Sequence, residues 1–115
     1  MAEQCIFCRI VSGEVPSDIV YQDEDFLAFR DMSPQAPTHV LIIPRTHIGS
    51  VKELSEGQQD FVGRLMVIAK ELAEREGIAE SGYRLVMNSG PDGGQLVPHL
   101  HVHLIGGRKL AGSLG

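Results

Sequence analysis

No apolar run in the sequence approaches the ~20 residues that span a bilayer, which excludes a transmembrane helix. The start, Met1-Ala2-Glu3-Gln4, lacks a basic segment followed by a long apolar one. No secretory signal is therefore expected, and the cytoplasm is the expected compartment. Positive charge is in deficit: 10 Lys and Arg against 15 Asp and Glu leave a formal net charge of −5. That balance argues against a nucleic-acid partner, because such affinity comes mainly from neutralising phosphates. A single small anion is a different matter, since backbone N–H groups and a few side chains can hold one. Internal repeats, low-complexity tracts and linker-like segments are also missing. The 115 residues, 43% of them hydrophobic, suit one compact domain and are too few for a separate cofactor domain.

Tryptophan is absent and cysteine is scarce: Cys5 and Cys8 form the one C-x-x-C pair. In a cytosolic chain a structural disulfide is disfavoured, which leaves metal binding or redox chemistry for these thiols. A thioredoxin-like pair needs a strand running into a helix, and this N-terminus does not supply one. Five histidines accompany them, at 39, 47, 99, 101 and 103, three of these within five residues.

The apolar spacing of Ile6, Phe7, Ile10 and Val11 predicts a short helix stopped by Ser12-Gly13 and Pro16. Residues 19–22 and 26–30 read as strands around a polar Asp23-Glu24-Asp25 connection, and Val40-Leu41-Ile42-Ile43 as a buried strand ended by Pro44. Ser55 with Gln58 forms a capping box ahead of one long helix. Phe61, Leu65, Ile68, Ala69 and Leu72 mark its core side, and Gly77 its stop. Residues 83–88 and 100–105 supply two more strands around the Gly-rich segment Ser89-Gly90-Pro91-Asp92-Gly93-Gly94. The expected class is α+β: a five-stranded, mostly antiparallel sheet with one long helix and a short N-terminal helix.

His99, His101 and His103 alternate with Leu100, Val102 and Leu104, so period-2 geometry puts three imidazoles on one strand face. Such neighbours depress one another's protonation and keep an imidazole neutral and nucleophilic near neutral pH. Two chemistries suit them: a shared metal ion, or a nucleophilic histidine with supporting groups. The Gly-rich loop leading into this strand favours the second, because converging N–H groups cradle an anion. That loop lacks the Gly-Lys-Ser/Thr ending of a P-loop.

The run His99-Leu100-His101-Val102-His103-Leu104-Ile105 resembles the signature of the histidine triad family. The run FLAFRDMSPQAPTH over residues 26–39, Ile43-Pro44-Arg45-Thr46-His47-Ile48 and residues 88–95 extend the likeness to its nucleotide-binding branch. The similarity spans roughly residues 5–108 of one domain over 1–115, leaving 109–115 as a short tail. It implies a homodimer that binds a purine nucleoside monophosphate, or its phosphoramidate, and cleaves a P–N bond. By this resemblance His101 attacks phosphorus, His103 bonds the phosphate, and the His99 carbonyl fixes the His101 tautomer. Asn88, Gly94, Gln95 and Val97 would surround the phosphate and Asp31 the ribose, while Ile6, Phe7, Ile10, Val15, Phe29 and Met32 would form the base pocket. Members of the family also place zinc ligands at positions matching Cys5, Cys8, His47 and His99, which implies a structural Zn²⁺ and no organic cofactor. His39 is read as a hydrogen-bonded structural residue.

Two features depart from the pattern. Leu96 stands where relatives often carry a hydroxyl able to assist the leaving group, and the tail lacks the aromatic found in some relatives. The alternatives to phosphoramidate hydrolysis are dinucleoside polyphosphate hydrolysis and a regulatory nucleotide-binding module with incidental turnover.

Overall fold

The computed structural model describes residues 5–115; residues 1–4, read above for a targeting signal, lie outside them. In chain order the elements are α1 (Ile6–Val11), β1 (Ile19–Gln22), β2 (Phe26–Arg30), β3 (Thr38–Pro44), α2 (Gln59–Arg75), β4 (Tyr83–Val86) and β5 (Val102–Gly106). Two 3₁₀ turns, Val51–Glu53 and Glu56–Gln58, lead into α2. The five strands form one sheet in the order β1-β2-β3-β5-β4, and every pairing is antiparallel. No helix among the described residues is long and apolar enough to cross a membrane.

The apolar run of β3 does not alternate because both of its faces are covered, and all seven residues are buried. On one face Phe26, Ala28, Val40, Ile42, Val102 and Leu104 pack with Leu65, Ile68, Ala69 and Leu72 of α2. On the other, Leu27, Phe29, Leu41 and Ile43 meet Cys5, Phe7 and Ile10 at the N-terminal helix. A six-residue helix cannot cover a whole sheet face. The uncovered remainder beside α1 is where the cavity forms.

The helix signals act as their chemistry requires. Gln58 accepts from the Ser55 N–H at 2.9 Å, half of the capping box ahead of α2. At the other end the Gly77 N–H donates to the Glu74 carbonyl and the Ile78 N–H to that of Ala73, with Gly77 at φ +73°. These two bonds satisfy carbonyls that have no helical partner, and the left-handed Gly77 makes them possible.

Two strands are shorter than their apolar patterns suggest. β4 stops at Val86 rather than Asn88, and β5 begins at Val102 rather than Leu100. The segment before β5 spends its donors elsewhere: the His99 N–H on the Val97 carbonyl at 2.8 Å, and the Leu100 N–H on the Ile48 carbonyl at 2.6 Å. Of the three clustered histidines only His103 therefore lies within the ladder.

A polar knot fastens the β1–β2 hairpin to α2. Asp23 Oδ1 accepts from the N–H groups of Asp25 and Phe26, and its Oδ2 accepts from Tyr21 Oη and Arg64, each at 2.6 Å. Burial pushes the Asp23 carboxyl up, but these four bonds outweigh it and hold the group well below the usual carboxylate range. Asp23→Ala is expected to cost about 2 kcal/mol at neutral pH, the scale of lost hydrogen bonds to a charged group. A lowered folded pKa contributes stability above the unfolded value near 3.9, and that stability fades as pH falls through the folded one. Urea titrations at several pH values should show wild type and variant converging below about pH 4.

Candidate active site

A cavity of about 330 Å³ opens between α1, β2 and the segment entering β5. Ile6, Phe7 and Ile10 of α1, Phe29 of β2, and Met32, Leu96 and Val97 form its apolar wall; Ser17, Asp31, Asn88, Gly94, His101 and His103 form its polar part. Eleven of the residues assigned above to nucleotide binding thus come together. Val15 and Gln95 do not line it. Val15 packs against the core beneath α1. Gln95 staples the Gly-rich loop: Oε1 accepts from the Gly90 N–H at 2.9 Å, and Nε2 donates to the carbonyls of Gly49 and Val97.

The loop also revises which N–H groups can meet an anion. The Gly94 N–H donates to the Pro91 carbonyl at 3.0 Å, closing a turn in which Gly94 adopts φ +79°. Gly94 thus shapes the turn, whereas the Val97 N–H has no acceptor among the described residues. Leu96 is 92% exposed and carries no hydroxyl toward the cavity it borders.

Hydrogen bonds fix the proton on each of three imidazoles. His101 Nδ1 lies 2.6 Å from the His99 carbonyl, so Nδ1 carries the proton and Nε2 keeps its lone pair. The Gln35 N–H donates to His39 Nδ1 at 3.0 Å, placing the His39 proton on Nε2. His39 Nε2 then donates to His103 Nδ1 at 2.9 Å, with Asp31 Oδ2 at 3.5 Å. His103 is left with its proton on Nε2. The rings of His101 and His103 stand 5.0 Å apart, and Phe7 packs edge-on against both His99 and His101. A nucleophile-competent nitrogen and a hydrogen-bond donor thus adjoin in one cavity.

The electrostatics keep His39 and His103 neutral. Burial pushes His103 down to about 4, helped by the neighbouring His101 and His39 and opposed by Asp31. Burial likewise lowers His39, against the pull of Asp31. Asp31 is anchored by accepting the Ser33 N–H at 2.7 Å on Oδ1.

A second cluster lies behind the cavity wall. The donor atoms of Cys5, Cys8, His47 and His99 all lie within 4.8 Å of one another. Cys5 Sγ is 3.3 Å from His99 Nδ1, and Cys8 Sγ is 3.2 Å from His47 Nδ1 and 3.6 Å from His99 Nδ1. A tetrahedral ion with ~2.3 Å bonds to sulfur and ~2.0 Å to nitrogen separates such donors by about 3.5 Å. These residues therefore fit a metal ion of that kind. His99 Nε2 donates to the Pro44 carbonyl at 2.8 Å, which turns Nδ1 toward the thiols and serves as the outer bond that metal-binding imidazoles use. Without a cation the Cys8 thiol is pushed up to about 11, chiefly by burial and then by Cys5. Cys5 also caps α1, its Sγ accepting from the Cys8 N–H, so the C-x-x-C spacing sets both thiols at one helix end. The triad histidines do not converge on one ion: His99 belongs to the thiol cluster, while Asp31, His39 and His103 form a separate group.

Sequence reasoning missed two features here. His39 is hydrogen-bonded, as expected, but its partner His103 was not foreseen; the register that sets His39 beside Ile105 and Leu41 beside His103 brings them together. Ser17 lines the cavity without any sequence signal to mark it.

The sequence model of the HIT domain matches residues 12–110. The purine nucleoside phosphoramidase of Escherichia coli K12 is 56% identical over 110 residues, covering 96% of this chain and 92% of that protein. The 14 kDa zinc-binding protein of Zea mays is 50% identical over 107 residues, 91% of this chain and 83% of its own length. The crystal structure of a HIT family hydrolase from Legionella pneumophila superposes with a TM-score of 0.95 at 46% identity, covering 97% of this chain and all of the other. The chain therefore belongs to the HIT domain family, the histidine triad proteins.

Proposed function

We propose that this protein hydrolyses the P–N bond of purine nucleoside 5′-phosphoramidates through a nucleotidyl intermediate on His101. The supporting observation is the 2.6 Å bond between His101 Nδ1 and the His99 carbonyl, which frees Nε2 for attack inside a nucleotide-sized cavity. The base lies among Ile6, Phe7, Ile10 and Phe29, the ribose hydroxyls bond Asp31, and Asn88 and the Val97 N–H hold phosphate oxygens. Such preorganised donors stabilise the charge that builds on phosphorus oxygens during transfer.

In the first step His101 Nε2 bonds to phosphorus as the P–N bond breaks. The departing nitrogen takes a proton from water at the cavity mouth, leaving hydroxide, while the Nε2–H of neutral His103 donates a hydrogen bond to a phosphate oxygen. Water then attacks phosphorus, the bond to His101 breaks, and the proton lost by water neutralises the hydroxide left by the first step. The products are the nucleoside monophosphate and a free amine.

Zn²⁺ is the ion we assign to Cys5, Cys8, His47 and His99, where it supplies a structural cross-link and no reaction step. Reduced thiols of this kind suit a cytoplasmic setting. The protein acts as a homodimer in this reading; β4 at the sheet edge, with exposed Leu85, and Met66 and Val67 on α2 offer apolar surface for it.

The direct test is release of AMP from adenosine 5′-phosphoramidate, followed by chromatography with and without chelator. AMP should appear in both cases. Tight AMP binding without any turnover would instead make the protein a binding module. Asp31→Ala should weaken AMP about tenfold and leave inorganic phosphate binding unchanged, measured by calorimetry, as expected for losing hydrogen bonds to a charged group. Equal losses for both ligands would remove the ribose role.

A further inference from the structure

A second cavity, of about 450 Å³, shares Ile6, Leu96 and Val97 with the first. We propose that it receives the departing amine and favours amines that carry an additional positive charge on an alkyl stem; this rests on the phosphoramidate reading above. The shared wall makes the two cavities neighbours across the loop that borders the phosphate site, so a substituent on the scissile nitrogen has a place to go. Ile6, Leu96 and Pro98 give that place an apolar side suited to a methylene chain.

Its charge comes from Glu53, and no Lys or Arg lines it. Among the described residues Glu53 makes no salt bridge, unlike Asp23 and Glu76, which arginines hold. The carboxylate lies against the backbone of Gly49, where any Cβ would overlap Glu53 Oε2. Glycine at 49 leaves room for this carboxylate beside the cavity that both residues line. Cys5 and His47 border the same space, and the two thiolates would balance a divalent ion held by Cys5, Cys8, His47 and His99, so Glu53 would remain the net charge an incoming ammonium meets. The missing hydroxyl at Leu96 fits the same picture: this side of the site grips the leaving group through its stem and its charge.

The test compares three adenosine 5′-phosphoramidates, with the nitrogen unsubstituted, pentyl-substituted, or aminobutyl-substituted, for wild type, Glu53→Gln and Glu53→Lys. Wild type should favour aminobutyl over pentyl in kcat/KM by about threefold to fivefold, the scale of a solvent-exposed ion pair. Added salt should shrink that preference. Glu53→Gln should abolish it and Glu53→Lys reverse it, while the unsubstituted substrate reacts equally with all three proteins. A preference that survives Glu53→Gln, or a loss shared by all three substrates, overturns the subsite while leaving the hydrolase reading intact. Failure of wild type to cleave even the unsubstituted compound overturns both.

Discussion

Replacing His101 with alanine is expected to reduce turnover of adenosine 5′-phosphoramidate by about 10³-fold or more, the scale seen when a catalytic unit loses its nucleophile. The protein should still fold. His101 lies on the segment entering β5, outside the ladder, and its ring touches Phe7 and His103 rather than the α2 core. Binding of AMP should persist, because Asp31, Asn88 and the apolar wall are untouched. The pattern that distinguishes covalent transfer is therefore a fall in kcat with AMP affinity nearly unchanged. Rapid quenching of wild type should trap a nucleotide on the protein by mass spectrometry, and the variant should trap none. A variant that keeps a tenth of the wild-type rate would take the nucleophile role from His101. It would leave His103 and His39 as a hydrogen-bonding pair around direct attack by water.

The α+β class and the order of the elements are legible in the sequence because each element carries a local signal. The Ser55–Gln58 box, the spacing of Phe61, Leu65, Ile68 and Leu72, and Gly77 mark α2 from both ends. β3 reads as buried because Val40 to Ile43 are apolar without alternation, and the structure extends it to Thr38–Pro44. Strand ends are harder to read. Leu100 looks like the start of a strand, yet its N–H is taken by Ile48, a tertiary bond that no local pattern encodes.

The site divides along the same line. The triad and the cysteine pair are contiguous in sequence, and the resemblance carried their assignment. Pairing across the sheet is not contiguous: His39 and His103 are 64 residues apart, and their 2.9 Å contact depends on β3 lying beside β5. The Gly-rich loop shows a third limit. Its glycines suggest a set of free N–H groups, but Gly94 spends its own on Pro91, and only coordinates reveal which donors the turn consumes.

Cys5→Ser is expected to have the largest effect on stability while leaving the chemistry in place. Wild type should carry about one zinc per chain by elemental analysis, and the variant should lose it. The melting temperature should fall by about 10 °C, as when a tightly bound ion is withdrawn from the folded state. Serine is a deliberate choice. Cys5 also caps α1 through its Sγ, and serine is among the preferred capping residues, so the substitution removes a metal ligand and preserves the helix start. The ion's contribution should weaken in acid, since thiols must lose protons to bind it and the Cys8 thiol stands at about 11 when no cation is bound. A chelator should lower the melting temperature of wild type to that of Cys5→Ser and leave the variant unmoved, with P–N cleavage continuing in both at temperatures where they are folded. Because the cap survives, a chelator-sensitive difference belongs to the ion. Unchanged metal content and melting temperature in Cys5→Ser would instead reduce Cys5, Cys8, His47 and His99 to a hydrogen-bonded set of thiols and imidazoles holding α1 against the segment that carries His101.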